Sequence, residues 1–182
     1  MRKLRKLTKK PLKPGGGGGP ARGMQPNTRR DFFVSLYRFE TKPLPSPCRV
    51  VFASTGITSS TTQVVGDVAK KRAENAKWYA DLEKKYDVVF AKAQAAIAKG
   101  DWQEVGRLAD ENHALLQQLG VSCKELDDLV SDARQAGAAG AKLAGTGRGG
   151  LMFAVCKDEA SQQKVFQALS RRAPQAWKTS FL

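Results

Sequence analysis

An α+β fold, with an antiparallel sheet covered by helices on one face, is the architecture that these 182 residues predict. Three observations carry it. A short β-branched run opens the folded part, apolar stripes at helical spacing fill its middle, and strand-like runs return around a glycine-rich turn. Residues 31–42 (DFFVSLYRFETK) alternate imperfectly, with Phe33, Ser35, Tyr37 and Phe39 on one side, before Pro43, Pro45 and Pro47 break the chain. Residues 49–54 (RVVFAS) then read as a buried strand. Residues 55–62 (TGITSSTT) are small, polar and turn-like, and they lead into Val64, Val65 and Val68 at a helix start.

From about residue 63 to 99 the chain reads as helix, as one kinked element or two. Trp78, Leu82, Tyr86, Val89, Ala93 and Ile97 fall on one face of it. Gly100 stops that helix, and Asp101 with Glu104 forms a capping pair for the next. The following helix presents Val105, Leu108, Ala109, Leu115, Leu116 and Leu119 inward and stops at Gly120. Ser122 and Glu125 repeat the capping pattern ahead of a third stripe, Leu126, Leu129, Val130 and Ala133, closed by Gly137. Residues 141–144 and 151–155 are strand-like and flank the loop 145–150 (GTGRGG). A helix over residues 158–172, ended by Pro174, and a strand over residues 176–181 complete the chain. Strand, helices, hairpin, helix, strand is the order expected of a ferredoxin-like sheet.

Charge divides the molecule. The sequence holds 31 Lys+Arg against 17 Asp+Glu, a formal net charge of +14. Residues 1–30 take ten of the basic residues and none of the acidic ones, so the remainder is close to balanced. With Pro11, Pro14, the glycines 15–19 and Pro20, this stretch is expected to be a disordered basic arm, followed by one domain over residues 31–182. Three roles for the arm stand side by side: a solvated extension, an Arg-rich organelle address of mitochondrial type, and electrostatic attachment to an acidic or nucleic-acid partner. No aromatic residue interleaves with its charges, so it offers no platform for base stacking. No apolar run is long enough to cross a bilayer, so no membrane partner is expected. Three cysteines without C-x-x-C spacing argue against structural zinc and a disulfide framework and place the protein in a reducing compartment, the cytoplasm. The last three residues, Ser180, Phe181 and Leu182, resemble a peroxisomal address apart from Phe181 in the basic position.

Chemistry concentrates in two segments. Glycines at 145, 147, 149 and 150 let backbone amides approach an anion, although the spacing is neither a Walker loop nor a dinucleotide fingerprint, and a plain hairpin turn uses the same residues. Arg148 within this loop reads either as a bidentate anion ligand or as a solvated loop-tip arginine. The hydroxyls of Ser59, Ser60, Thr61 and Thr62 sit at a helix start, where they suit either an anion or ordinary capping. His113 is the single histidine, which excludes a multi-histidine metal site, and beside a buried Asn112 it is expected to be partly exposed and structural. No Ser/His/Asp or Cys/His set can be assembled.

Residues 54–67 (STGITSSTTQVVGD), 100–119 (GDWQEVGRLADENHALLQQL) and 121–155 together resemble the C-terminal half of mevalonate kinases, members of the GHMP small-molecule kinase superfamily. The resemblance covers residues 49–182 and implies a GHMP kinase C-terminal fold. It also implies phosphoryl transfer from ATP to the primary hydroxyl of mevalonate, in the isoprenoid pathway, with Mg²⁺ bridging the phosphates. By the same resemblance Thr55, Gly56, Ser60 and Thr61, with Gly145, Thr146, Gly147, Arg148, Gly149 and Gly150, lie beside substrate or phosphates. Thr146 and Arg148 depart from the family's usual loop. The family's phosphate loop and catalytic aspartate have no counterpart here, so the resemblance assigns no catalytic or metal-ligating residue, and neither ATP nor Mg²⁺ is expected to bind tightly to this chain alone. The expectation is a kinase C-terminal half that is inactive alone and whose apolar docking face takes an N-terminal kinase half or a second copy of itself. The rival reading is a non-catalytic, kinase-derived scaffold anchored by the basic arm to an acidic or nucleic-acid-rich assembly.

Overall fold

The computed structural model describes residues 43–182; the basic arm and the alternating segment 31–42 lie outside the described residues. Element order is β1 (Cys48–Ser54), α1 (Thr61–Glu74), α2 (Ala76–Lys99), α3 (Trp102–Leu119), α4 (Lys124–Gln135), β2 (Gly140–Ala144), β3 (Leu151–Cys156), α5 (Glu159–Ser170) and β4 (Gln175–Phe181). All strand pairs are antiparallel and the sheet order is β2-β3-β1-β4, the split βαβ arrangement of a ferredoxin-like fold. The expected fold class is therefore the one observed.

Alternation along the strands sets the two faces of the sheet. Val51 and Ala53 of β1, Met152, Ala154 and Cys156 of β3, and Ala141 and Leu143 of β2 join Leu126, Leu129, Val130 and Ala133 of α4 and Val165 and Leu169 of α5 in one core. Each buried Val, Leu or Met side chain there stabilises the fold by roughly 1.5–3 kcal/mol. On the opposite face the directly paired Phe153, Phe52 and Trp177 make a row of rings, with Phe52 and Trp177 stacked at 5.6 Å between centroids. Gln162 of α5, almost fully buried, donates to the carbonyls of Val50 (3.0 Å) and Thr179 (2.7 Å) and so ties the helix to two strands.

The helical stretch after β1 is two helices, broken at Asn75, whose side chain caps α2 by accepting from the Trp78 amide at 3.1 Å. The apolar stripe of α2 is not fully covered. Leu82, Val89 and Ala96 pack against Leu108 and Leu115 of α3, whereas Tyr86 and Ile97 remain exposed. Asp101 caps α3 as expected, accepting from the Glu104 amide at 3.0 Å. Ser122 does not cap α4: residue 123 is the N-cap and supplies no side-chain bond, because the Ser122 hydroxyl is turned to Asp127 at 2.5 Å.

Helix α3 lies against the free edge of β2 at a glycine-to-glycine contact. A Cβ built on Gly140 would stand 1.8 Å from the Gly106 carbonyl oxygen, so neither position has room for a side chain. The approach lets α3 satisfy the outward amides of an edge strand. Asp110 Oδ1 accepts from the Ala141 amide at 2.7 Å and from Arg134 Nε of α4 at 2.6 Å. His113 Nδ1 accepts from the Leu143 amide at 3.3 Å, and its other nitrogen meets Asp127 Oδ1 at 3.1 Å. His113 is thus buried rather than partly exposed, and structural as expected.

This geometry fixes the tautomer: Nδ1 accepts, so Nε2 carries the proton and the ring is neutral. Burial pushes the imidazole below its ordinary value and outweighs the opposite pull of Asp127. In the unfolded chain the ring takes up its proton near pH 6.5, and in the folded chain only at lower pH. Stability is therefore complete at neutral pH and declines as pH falls below about 6.5, levelling once the folded value is passed. Urea unfolding of the parent and of His113→Gln between pH 7.5 and 5 should show this decline in the parent and its loss in the variant. Equal pH slopes for the two proteins would contradict the assignment.

Candidate functional site

The loop between β2 and β3 runs through a series of left-handed residues: Gly145 (φ 80°), Gly147 (83°), Arg148 (54°) and Gly150 (75°), with Gly149 at 126°. A chain folded this way makes no regular ladder of its own, so neighbouring elements must hold it. On one side it rests on the turn between α3 and α4. The Arg148 amide donates to the Val121 carbonyl at 2.8 Å, and a Cβ on Gly147 would stand 1.8 Å from that same oxygen. On the other side it rests on the segment joining β1 to α1. The Gly150 amide donates to the Ile57 carbonyl (2.8 Å), the Thr55 amide to the Gly150 carbonyl (2.9 Å), and the Ser59 hydroxyl to the Gly147 carbonyl (2.7 Å).

The two segments singled out in the sequence thus meet, and between them lies an open cavity of about 320 Å³. Gly145, Thr146, Gly147, Gly149 and Gly150 line it, facing Ile57, Thr58 and Ser59. Five of the expected residues do not. Thr55 accepts from the Ile57 amide and donates to the Gly150 carbonyl through its hydroxyl, and Gly56 turns towards Pro174, where an added Cβ would lie 3.1 Å from the ring. Ser60 is the N-cap of α1, accepting from the Gln63 amide at 3.4 Å, and Thr61 opens that helix. The first turn of α1 carries no acidic residue, so the partial positive charge of the helix end is not offset there.

Of the two readings of Arg148, the solvated loop-tip one does not hold: its guanidinium forms an ion pair with Asp67 of α1 while its Nε donates to the Gly120 carbonyl at 3.2 Å. Lys71 of α1 donates to the neighbouring Leu119 carbonyl at 3.1 Å. Two cations therefore meet the carbonyl end of α3, where the helix dipole favours positive charge. Sequence reasoning missed Asp67, the cavity-lining Ile57 and Thr58, and the seat at residues 120–121. An aspartate just ahead of the basic run of α1 gives no local sign of a partner 81 positions away.

Comparison with known proteins locates this arrangement. The family profile "GHMP kinases C terminal" matches residues 93–175. Mevalonate kinase from Thermococcus gammatolerans is 34% identical over 136 residues, covering 71% of this chain and 41% of the relative. That from Pyrococcus horikoshii is 40% identical over 129 residues, covering 68% and 38%. Among solved structures, L. major mevalonate kinase in complex with R-mevalonate superposes with a TM-score of 0.73 at 34% identity, over 76% of this chain and 44% of that one. Phosphomevalonate kinase from Streptococcus pneumoniae, at 13% identity and a TM-score of 0.64, shares the fold. The chain spans about two fifths of the length of the curated relatives it matches.

The seat of the loop makes unequal demands on its glycines. Gly147→Ala would drive a methyl into the Val121 carbonyl and should cost about 3 kcal/mol or more of unfolding free energy. Gly145→Ala meets nothing within 4 Å and should cost only the left-handed penalty, about 1–2 kcal/mol. Equal losses for the two variants in denaturant titrations would contradict the docking described. Fold, loop and matches agree: the chain carries a GHMP kinase C-terminal domain and is a homologue of mevalonate kinases.

Proposed function

We propose that residues 43–182 form the C-terminal wall of the cleft in a mevalonate kinase-type enzyme, which transfers a phosphoryl group from ATP to the hydroxyl of mevalonate. The observation that carries this reading is the convergence of the glycine loop and the β1–α1 segment on one open cavity. The substrate comes from the relatives, which are mevalonate kinases, one of them solved with R-mevalonate.

The wall suits part of that chemistry. Left-handed glycines bring backbone close to a ligand, and the α1 N-terminus adds partial positive charge, which fits phosphate oxygens. It does not suit the metal. None of the residues lining the cavity is a carboxylate, and the described residues contain no cluster of three His, Cys, Asp or Glu side chains able to hold an ion. No titratable residue lines the cavity that could accept the proton of an attacking alcohol. Phosphoryl transfer relies on positioning and on neutralising developing charge, and one such wall supplies only part of either. Exposed Ile57 and Leu151 at the rim, and exposed Tyr86, Val88 and Phe90 on α2, support a covering partner, an N-terminal kinase half.

The full chain should accordingly release no mevalonate-dependent ADP by itself. A chimera in which residues 43–182 replace the matching domain of L. major mevalonate kinase should turn over within about 100-fold of the parent enzyme, a barrier change under ~3 kcal/mol. Normal kinase turnover by the chain alone would contradict the single-wall reading. A folded chimera without turnover would contradict the assignment of function.

A further inference from the structure

We infer that Arg148 is a positioning residue: paired with Asp67, it locks the glycine loop in its ligand-facing shape and spends its charge inside the protein rather than on a ligand. The inference deepens the functional reading above and rests on it only for the nature of the ligand. Arg148 is the one non-glycine residue of left-handed φ among the described residues, and it stands between Gly147 and Gly149 in a loop that has little side-chain mass of its own. The left-handed conformation costs an ordinary L-residue roughly 1–2 kcal/mol, so compensating contacts are required.

Three such contacts converge on this residue, from two separate parts of the chain. Its amide reaches Val121 O at 2.8 Å, its Nε reaches Gly120 O at 3.2 Å, and its terminal nitrogen pairs with Asp67. Asp67 lies on α1, whose N-terminus flanks the cavity, while Gly120 and Val121 follow α3. One guanidinium therefore couples the loop to both elements beside it. The planar fork of arginine can serve an acid and a carbonyl together, which the point charge of a lysine does less well. The pair is only partly exposed, 31% on the arginine side chain and 46% on the aspartate, so solvent weakens the contact without removing it.

The test uses the full chain and three variants: Arg148→Asn, Arg148→Lys and Asp67→Ala. Asparagine tolerates the left-handed conformation, so the first removes the guanidinium without adding backbone strain. Two readouts are needed: hydrogen exchange of the Arg148-position and Gly150 amides against core amides such as Val51 and Ala154, and affinity for Mg·ATP by amide NMR titration. R148N and D67A should speed loop exchange by about tenfold or more while leaving the core amides unchanged, with R148K intermediate. Nucleotide affinity should fall in the same order as loop protection. Intact loop protection in R148N would overturn the inference. Intact protection with lost nucleotide affinity would do so too and would make Arg148 a direct ligand. Loosened loops together with no nucleotide binding by any protein, the parent included, would uphold the lock and reject the functional reading instead.

Discussion

The contact between Gly106 and Gly140 is the constraint from which the rest of the described structure follows. Removing both side chains lets a helix backbone lie directly on the edge of a strand, a separation that a single methyl group at either position would forbid. That separation brings Asp110 and His113 within bonding distance of the outward amides of β2, which closes an edge that would otherwise be open to pairing. It also fixes where α3 ends. The carbonyls of Leu119, Gly120 and Val121 stand beside the turn that β2 must make to reach β3. The glycine loop is thus positioned by a helix placement decided some fifteen residues earlier.

At that end of α3 the electrostatics and the backbone act together. Three successive carbonyls receive Lys71, the Arg148 side chain and the Arg148 amide. Carbonyls at a helix C-terminus lack intrahelical donors, so cations and loop amides placed there satisfy them and meet the negative end of the dipole. The loop in turn is gripped on its far side by the β1–α1 segment, through Ile57, Thr55 and Ser59. Backbone and side-chain atoms of the neighbouring segments together hold the loop, while its own glycines leave a low wall facing the cavity. A cleft built in this way presents backbone and hydroxyls and no acid or base, which suits binding and orientation more than proton transfer.

Much of the fold was legible because its signals are local. Capping of α3 by Asp101, the stop at Gly100, the period of α4 and the strand pair around the glycine loop each depend on neighbours in sequence. Departures arose where a distant partner overrode a local preference. Ser122 resembles a cap, yet Asp127 and His113 draw it into a bridge between helices. Arg148 resembles a free ligand among glycines, yet Asp67, on a different helix, takes its charge. Tyr86 and Ile97 continue an apolar stripe that α3 is too narrow to cover. The candidate site was legible as two segments, but which residue of each faces the cavity was not. Thr55 bonds the loop at Gly150 and Gly56 lies against Pro174, whereas Thr58 and Ser59 line the cavity.

The central claim is that this domain supplies one wall of a nucleotide cleft and little more. Amide chemical-shift mapping of the isotope-labelled full chain with pyrophosphate tests it most directly, since that probe isolates the phosphate contacts from the rest of the nucleotide. The account requires shifts centred on residues 145–150 and on the first turn of α1, with weak binding in the millimolar range, about −4 kcal/mol. Shifts centred instead on the groove between α2 and α3 at Tyr79, Leu82 and Leu119, with the loop silent, would contradict it.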